Sequence, residues 1–500
     1  MDRLGGVVLQ PQQGMYDQVV WGDISGDKWV LDTVSAGLAI PLPELPAQGP
    51  ETYPFSKLQG YQADLILKDF LAKGFIQQAI PCTGQFISPY FLVDKASGEP
   101  RFILDLSWLN KNIPDLPFKL ESLDNVQSLL EQGAWMAKLD LQDAYYSVRI
   151  RSQDRKLLRF WWGGVLMEFL VMPNGLKCAP YVFTMVLKPI VGYLRSLGLR
   201  LIIYLDDLWV TSKDQALLQE QMHLAVATFQ RLGFQINRKK SVLIPGQELE
   251  FLGFIIHSPS LTYRLRQEKL DQILSLCRDL YQQEEVVIRD LARLLGLLQA
   301  ADRALVVARL HYRSLQCHQI RAINQLMQEP SRLPMHVKLK HCYSMSCRLP
   351  EVARKELKWW LDNLLLLPPG KIREQECDLE LFSDACLTGW GAECGGEGIQ
   401  GKWGPPQQGL DINHLEFLAV TKALDYFTTR LKGVRVKVRV DNETVKWYVK
   451  KMGGTKSWSL VELALAFWEL ALSRDLQIEV EYISTKSLHF QLMYCVVLTF

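Results

Sequence analysis

The period of apolar positions changes repeatedly along the chain, and each change predicts an element. Residues 61–73 carry apolar side chains at helical spacing and stop at Gly74, while 86–93 and 101–106 read as strands on either side of the turn at 95–100. Two short apolar runs, Leu201-Ile202-Ile203 and Leu208-Trp209-Val210, predict a hairpin. Helices are expected over 181–197 and 214–232, with another hairpin around 244–256. Residues 266–360 are mainly helical in pattern. Pro368-Pro369-Gly370 then interrupts the chain, and a strand-like run at 379–383 opens a second α/β alternation, which places a domain boundary there.

Between the two apolar runs stand Tyr204-Leu205-Asp206-Asp207, and 64 positions before Tyr204 another strand-like segment ends in Asp140. A tight hairpin lifts adjacent carboxylates out of a core, and a neighbouring strand can bring a third beside them. Clustered carboxylates repel one another unless cations bridge them. Two Mg²⁺ ions roughly 3.5 to 4 Å apart would relieve that repulsion and stabilise the attacking and leaving oxygens of a phosphoryl transfer. The quartet alone also fits an ordinary acidic turn, so its weight depends on what surrounds it.

Composition narrows the class. A chain of 500 residues with 48% hydrophobic side chains implies about three domains with sizeable cores. The start lacks a basic region followed by a long apolar stretch, and no run of 18 apolar residues occurs, so neither secretion nor a membrane span is expected. Ten cysteines without a Cys-x-x-Cys pair suit reduced, intracellular thiols. Net charge is only +2, but it is unevenly placed: residues 1–50 hold two basic and six acidic side chains, 264–358 hold 17 against 10, and 430–456 hold nine against two. The two basic stretches fit a phosphate-backbone track and fit solvated helix faces equally well.

Taken in order, the motifs resemble a reverse transcriptase fused to a ribonuclease H domain, most closely of the DIRS-like retrotransposon type, over about residues 54–483. Ser88-Pro89-Tyr90-Phe91-Leu92-Val93-Asp94-Lys95 and Arg101-Phe102-Ile103-Leu104-Asp105-Leu106 resemble the fingers hairpin, and Leu139-Asp140-Leu141-Gln142-Asp143-Ala144-Tyr145-Tyr146 the first catalytic strand. Pro173-Asn174-Gly175-Leu176-Lys177-Cys178-Ala179-Pro180 resembles the template-facing turn. The Tyr204 quartet follows, then Gly233-Phe234-Gln235-Ile236-Asn237 leading to Lys240-Ser241, and Phe251-Leu252-Gly253, which resembles the primer-gripping hairpin.

The resemblance implies an α+β right-hand polymerase with fingers, palm and thumb, followed by an α/β ribonuclease H-like domain. The expected layout is an extended Pro/Gly/Gln-rich leader over 1–50, fingers and palm over 51–260, a helical thumb and connection over 261–370, the ribonuclease H-like domain over 371–483 and an atypical apolar tail over 484–500. It further implies that Asp140 and Asp206 hold Mg²⁺, with Mn²⁺ as an alternative, that Asp207 completes the metal set, and that Lys95 and Arg101 contact the triphosphate. Arg's bidentate fork suits phosphate oxygens. Tyr145 would lie under the incoming sugar and disfavour a 2′ hydroxyl, with Asn174 and Lys240 also on the substrate. Expected partners are an RNA template, a DNA primer, RNA–DNA hybrid and deoxynucleoside triphosphates, in the cytoplasm or nucleus, with the oligomeric state left open.

The second domain offers Asp384 in Phe382-Ser383-Asp384-Ala385, Glu416 in a helix-like segment and Asp441 at the end of a strand-like run before Asn442, a residue that can start a helix. The resemblance makes these three the metal-binding carboxylates of a hydrolase acting on the RNA strand of a hybrid. Two departures stand out. Residues 484–500 contain neither Asp nor Glu, where the family has a fourth carboxylate, which predicts a weakened hydrolase and an exposed apolar terminus. Asn174 stands where relatives have Phe or Gln. The active polymerase therefore competes with a decayed or co-opted element remnant that binds nucleic acid without catalysis.

Overall fold

A computed structural model describes residues 18–54, 56–94, 100–328, 335–372 and 377–488. The chain divides into two units: one runs to Leu252 and includes His257–Ser260, and the other takes Gly253–Ile256 and the chain from Leu261 onward.

The first unit begins with a departure from expectation. Residues 18–36, predicted as part of an extended leader, form helices α1 (Gln18–Gly22) and α2 (Lys28–Ala36). Asp27 caps α2, accepting from the Trp29 amide at 2.9 Å. Trp21 is fully buried, with its ring 6.2 Å from that of Phe234, and Val30, Val34, Leu38 and Ile40 join the same core. The Pro, Gly and Gln content around this segment hides a few large apolar residues, and burial of those residues decides the local structure. Gly37 follows at φ +93°, where a Cβ would lie 2.7 Å from the Arg151 amide nitrogen, so the chain passes this point only as glycine.

Helix α3 (Lys57–Ala72) confirms the helix expected over 61–73 but starts four residues earlier, at a Ser56–Gln59 capping box. The fingers strands Tyr90–Asp94 and Pro100–Leu104 pair antiparallel, with Val93 opposite Arg101. Lys95, in the turn between them, lies outside the described residues.

The central sheet holds β1 (Trp135–Gln142), β2 (Arg200–Tyr204), β3 (Asp207–Ser212) and β4 (Val242–Gly246) in the order β4-β1-β3-β2, with Gln235–Ile236 also pairing with β1. Helices α4 (Ala179–Ser196) and α5 (Gln215–Arg231) bury Val182, Phe183, Leu187, Met222 and Phe229 in the core that also holds Leu139, Leu201 and Val210. The register of β1 on β3 is fixed by that burial: sliding it by one residue would turn Leu139 and Leu141 out of the core.

In the second unit, Gln267–Gln282, Ile288–Ala300, Arg313–Gln328 and Glu351–Asn363 form a helical layer around Leu291, Leu298, Leu357 and Trp360. A five-stranded sheet follows: β5 (Leu379–Ala385), β6 (Gly389–Cys394), β7 (Glu397–Lys402), β8 (Arg435–Val440) and β9 (Gln477–Tyr482), in the order β7-β6-β5-β8-β9. β5, β6 and β7 pair antiparallel, whereas β5, β8 and β9 run parallel. Their crossovers are α6 (Ile412–Thr428) and the pair α7 (Glu443–Lys450) and α8 (Trp458–Ser473). Val307 and Leu310 from the helical layer enter this sheet's core beside Phe417 and Phe467.

Most of the atypical tail, from residue 489 onward, lies outside the described residues. Of its start, Leu488 is fully buried with Phe382 and Ile483, so this apolar residue is covered rather than exposed.

Candidate active sites

Strand pairing brings the first set of acids together. Asp140 lies directly opposite Asp207 across β1 and β3, and Leu205-Asp206 is the two-residue loop closing β2 onto β3. Leu205 has φ +54°, the sign that tight hairpin turns require of a loop position and that leucine adopts at a cost. A bond from the Leu141 amide to the Asp206 carbonyl, 2.9 Å, ties the loop to β1. Asp140 is bracketed from the other side: its amide donates to Ser241 Oγ at 3.0 Å and its carbonyl accepts from the Asn237 amide at 2.9 Å.

Electrostatics separate these acids. Burial raises the Asp140 carboxyl; Lys240, whose Nζ is 3.9 Å away, opposes the shift, and Asp206 adds to it. Burial pushes Asp207 up to about 6, with Lys138 opposing and Asp206 and Asp140 adding. Its Oδ1 is buried without a hydrogen-bond partner.

A cleft of about 770 Å³ opens over this hairpin. It gathers Arg101, Asp140, Tyr145, Asn174, Asp206 and Lys240 from five separate segments, and Asp207 is not on its wall. Asp206 belongs to the loop that closes the hairpin, whereas Asp207 opens β3 opposite Asp140, so the two adjacent acids stand in different elements. Tyr145 meets Phe183 edge-on at 5.6 Å, and burial pushes its hydroxyl up to about 12, with Asp206 adding. Asn174 donates to the Tyr146 hydroxyl at 2.9 Å, and Tyr146 stacks on Phe75 at 4.9 Å. Gly175 follows at φ +104° with Leu104 O only 2.6 Å from where a Cβ would stand, which fixes the turn carrying Asn174.

Sequence reasoning missed Lys73, Tyr146 and Asn237, all on the cleft wall. Lys73 ends α3 and pairs with Asp69 at 2.8 Å and Asp143 at 3.6 Å. Its only signal in the sequence was a lysine just before the helix-stopping Gly74.

The second set is tighter. Parallel neighbours β5 and β8 carry Asp384 and Asp441 to the same sheet end, and Glu416 reaches them from α6. One oxygen from each lies within 4.8 Å of the others; among the described residues no other three acids, histidines or cysteines meet that test, Asp140, Asp206 and Asp207 included. Burial, then Asp384 and Asp441, raise the Glu416 carboxyl strongly, and its Oε2 is buried without a partner. Asp384 Oδ1 accepts from the Ala385 amide at 2.8 Å, and Thr485 donates to Asp441 Oδ2 at 2.7 Å. Converging, desolvated carboxylates with an unsatisfied oxygen fit a divalent cation, whose charge would lower the cost of ionising all three.

Comparison with known proteins bears on the first site. A family model described as reverse transcriptase (RNA-dependent DNA polymerase) matches residues 93–256. Residues 93–256 form a reverse transcriptase domain.

This domain contains the Asp140 and Asp206-Asp207 strands and Arg101, Tyr145, Asn174 and Lys240 of the cleft, whereas Lys73 precedes it. Its chain is 28% identical over 239 residues to the Gag-Pol polyprotein of avian leukosis virus subgroup A, covering 45% of this chain and 14% of that protein. It is 26% identical over 256 residues to the Pro-Pol polyprotein of simian foamy virus type 3, covering 51% and 21%, and 26% identical over 186 residues to the transposon Tf2-3 polyprotein of Schizosaccharomyces pombe, covering 37% and 14%. The chain thus spans a small part of these polyproteins. A solved foamy viral protease-reverse transcriptase in complex with RNA/DNA hybrid aligns over 89% of this chain and 56% of its own, with TM-score 0.55 and 17% identity. The same protein in complex with dsDNA aligns over 95% and 99%, with TM-score 0.55 and 15% identity. At such identities the likeness establishes the fold, that of a right-hand polymerase.

Proposed function

We propose that the chain is the RNA-directed DNA polymerase of a retrotransposon, extending a DNA primer on an RNA template. The observation that carries this reading is the cleft where Asp140 and Asp206 face Arg101, Lys240 and Tyr145 inside a reverse transcriptase domain. Asp140 and Asp206 are the residues that would hold Mg²⁺, with Asp207 behind them. Bound there, divalent cations supply acidity at the primer 3′ hydroxyl and neutralise charge on the departing pyrophosphate. Arg101 and Lys240 draw the triphosphate oxygens of the incoming nucleotide into the cleft, and Arg101 can grip two at once. The Tyr145 ring, held edge-on by Phe183, leaves room for a deoxyribose and crowds a 2′ hydroxyl. Motif order supports a DIRS-like element, working in the cytoplasm or nucleus.

The second site is read as ribonuclease H-like: Asp384, Glu416 and Asp441 bind divalent cations and direct hydrolysis of the RNA strand of an RNA–DNA hybrid. Thr485 meets Asp441 with a hydroxyl rather than a carboxylate, and residues 484–500 hold no acid, so cleavage is weak. That same observation favours the second reading, a remnant that binds nucleic acid without catalysis.

The deciding experiment is Mg²⁺-dependent extension of a DNA primer on an RNA template by the chain and by Asp206→Asn. Extension by the first alone supports the polymerase. Equal extension by both removes the site, and none by either leaves the remnant.

A further inference from the structure

Residues 18–40 precede the span 93–256 that forms the reverse transcriptase domain, yet they are fastened to that domain at three places. At one end, the Leu38 amide donates to the Arg149 carbonyl at 2.8 Å, the Arg151 amide donates to the Leu38 carbonyl at 3.0 Å, and the Ile40 amide donates to Asp154 Oδ2 at 2.9 Å. In the middle, Trp29 of α2 meets Tyr181 of α4 edge-on at 6.5 Å. At the other end, Asp23 pairs with Arg231 of α5, and Trp21 of α1 is fully buried. Among the described residues the Trp21 indole Nε1 has no hydrogen-bond partner, a cost that a buried leucine would not carry. What the larger ring supplies in return is contact with Phe234.

From there ring contacts lead into the cleft. The Trp21 ring lies 6.2 Å from Phe234, Phe234 lies 6.3 Å from Phe183 of α4, and Phe183 lies 5.6 Å from Tyr145 on the cleft wall. Phe234 and Phe183 are both buried. Rings in such tilted and edge-on pairs hold one another's orientation, and a close-packed interior passes a displacement of one to the next. Phe234 also opens a second route. Gln235-Ile236, the next two residues, pair with Gln142 and Leu141 of β1, and the Asn237 amide donates to the Asp140 carbonyl at 2.9 Å. One buried side chain of α1 thus backs both Tyr145 and the strand that carries Asp140.

We propose that the α1–α2 segment is a strap that sets the position of Tyr145, with Trp21 as a positioning residue acting through Phe234 and Phe183, and that sugar selectivity in the cleft depends on it. The proposal rests on the polymerase reading of the cleft, in which the Tyr145 ring crowds a 2′ hydroxyl. A small shift of that ring gives the hydroxyl room, so loosening the strap admits ribonucleotides before it abolishes extension.

The test compares deoxynucleotide with ribonucleotide incorporation by the full chain, as a ratio of kcat/KM values, and follows the thermal melting of each variant. Trp21→Leu keeps the site apolar but removes the ring, and lowers the ratio about tenfold. Trp21→Phe restores most of it. Trp29→Ala, at a partly exposed position, lowers it about twofold and serves where Trp21→Leu melts too early to assay. Trp360→Leu removes an equally buried indole from the helical layer of the second unit and lowers the melting temperature without altering the ratio. Hydrogen exchange at residues 141–146, read without metal or nucleotide, rises in Trp21→Leu and not in Trp360→Leu. An unchanged ratio in folded Trp21→Leu, an equal fall in Trp360→Leu, or unchanged exchange overturns the proposal. Raised exchange in a chain whose parent extends no primer keeps the strap and removes the polymerase reading instead.

Discussion

The two acidic clusters gather the same kind of side chain in opposite packing. Asp140 and Asp206 stand on the wall of a cleft that also displays Arg101, Lys73 and Lys240, with charge of both signs facing the same space. Asp384, Glu416 and Asp441 are pressed within 4.8 Å of one another, and Glu416 is buried without a partner for one oxygen. A cleft of mixed charge can admit a large polyanion beside the cations it brings. A bare acidic cluster instead concentrates repulsion and makes cation binding the step that settles it. The contrast implies that the first site is tuned by what surrounds the acids and the second by the acids themselves.

The largest expected effect tests which acids matter in the cleft. Asp140→Asn and Asp206→Asn each lower primer extension about a thousandfold, a loss of about 4 kcal/mol of transition-state stabilisation, while Asp207→Asn, whose side chain lies off the wall, costs less. Equal losses at all three positions, measured by single-turnover extension, would break the distinction between lining and supporting acids.

The pH dependence separates the sites next. An acid binds a cation only after losing its proton, so metal affinity rises with pH until the folded-state acid is ionised. With Asp207 at about 6, metal-dependent extension levels off above that pH. Glu416 is raised well beyond the usual range, so hybrid cleavage keeps rising through pH 7, by up to about tenfold per unit. Parallel profiles for the two activities would show that packing does not divide them.

A smaller effect appears in stability without metal. Folded Asp207 takes up a proton below about 6, whereas an unfolded Asp remains ionised to about 4. Its contribution is therefore fully present at low pH and is lost as pH rises through about 6. Asp207→Asn removes the buried, unpartnered charge and should raise the melting temperature at pH 8 by a few degrees, on the order of 1 kcal/mol, with the gain vanishing near pH 4. A destabilised variant at pH 8 would show that Asp207 is better satisfied than its surroundings indicate.

The smallest prediction concerns Tyr146→Phe. Deleting the hydroxyl that holds Asn174 removes one hydrogen bond, about 1 kcal/mol, and should raise the nucleotide KM about fivefold with little change in melting temperature. An unchanged KM would make Asn174 a bystander on the wall.

Local pattern made much of this legible. Strand–loop–strand patterning around Tyr204 placed Asp206 in a turn, and the capping signal at Asn442 marked a true helix start. Lys95 lies outside the described residues, so its place against the triphosphate stays with the sequence. What pattern could not supply was which weak signals would be buried. Trp21 and Val30 sit in a segment whose composition reads as extended, yet their packing against Phe234 and its neighbours makes it helical. Lys73 and Tyr146 belong to elements predicted on other grounds, and nothing local distinguishes a cleft-facing lysine or tyrosine from a solvated or packed one.

Outside the segment around Trp21, most elements and the residues able to do chemistry follow from local pattern, because helix and strand periods, caps and turns depend on neighbours a few positions apart. Only the tertiary structure decided the rest. Asp140 meets Asp207 from 67 positions away, and Glu416 joins Asp384 and Asp441, because sheet register and helix packing set those distances. Burial then divided identical carboxyl groups into cleft-facing ones and more desolvated ones, and ion pairs neutralised Lys437 and Arg439 of a basic stretch while Lys450 and Lys451 stay open around Trp447. Such differences arise from long-range contacts and loss of water, which no window of neighbouring residues contains.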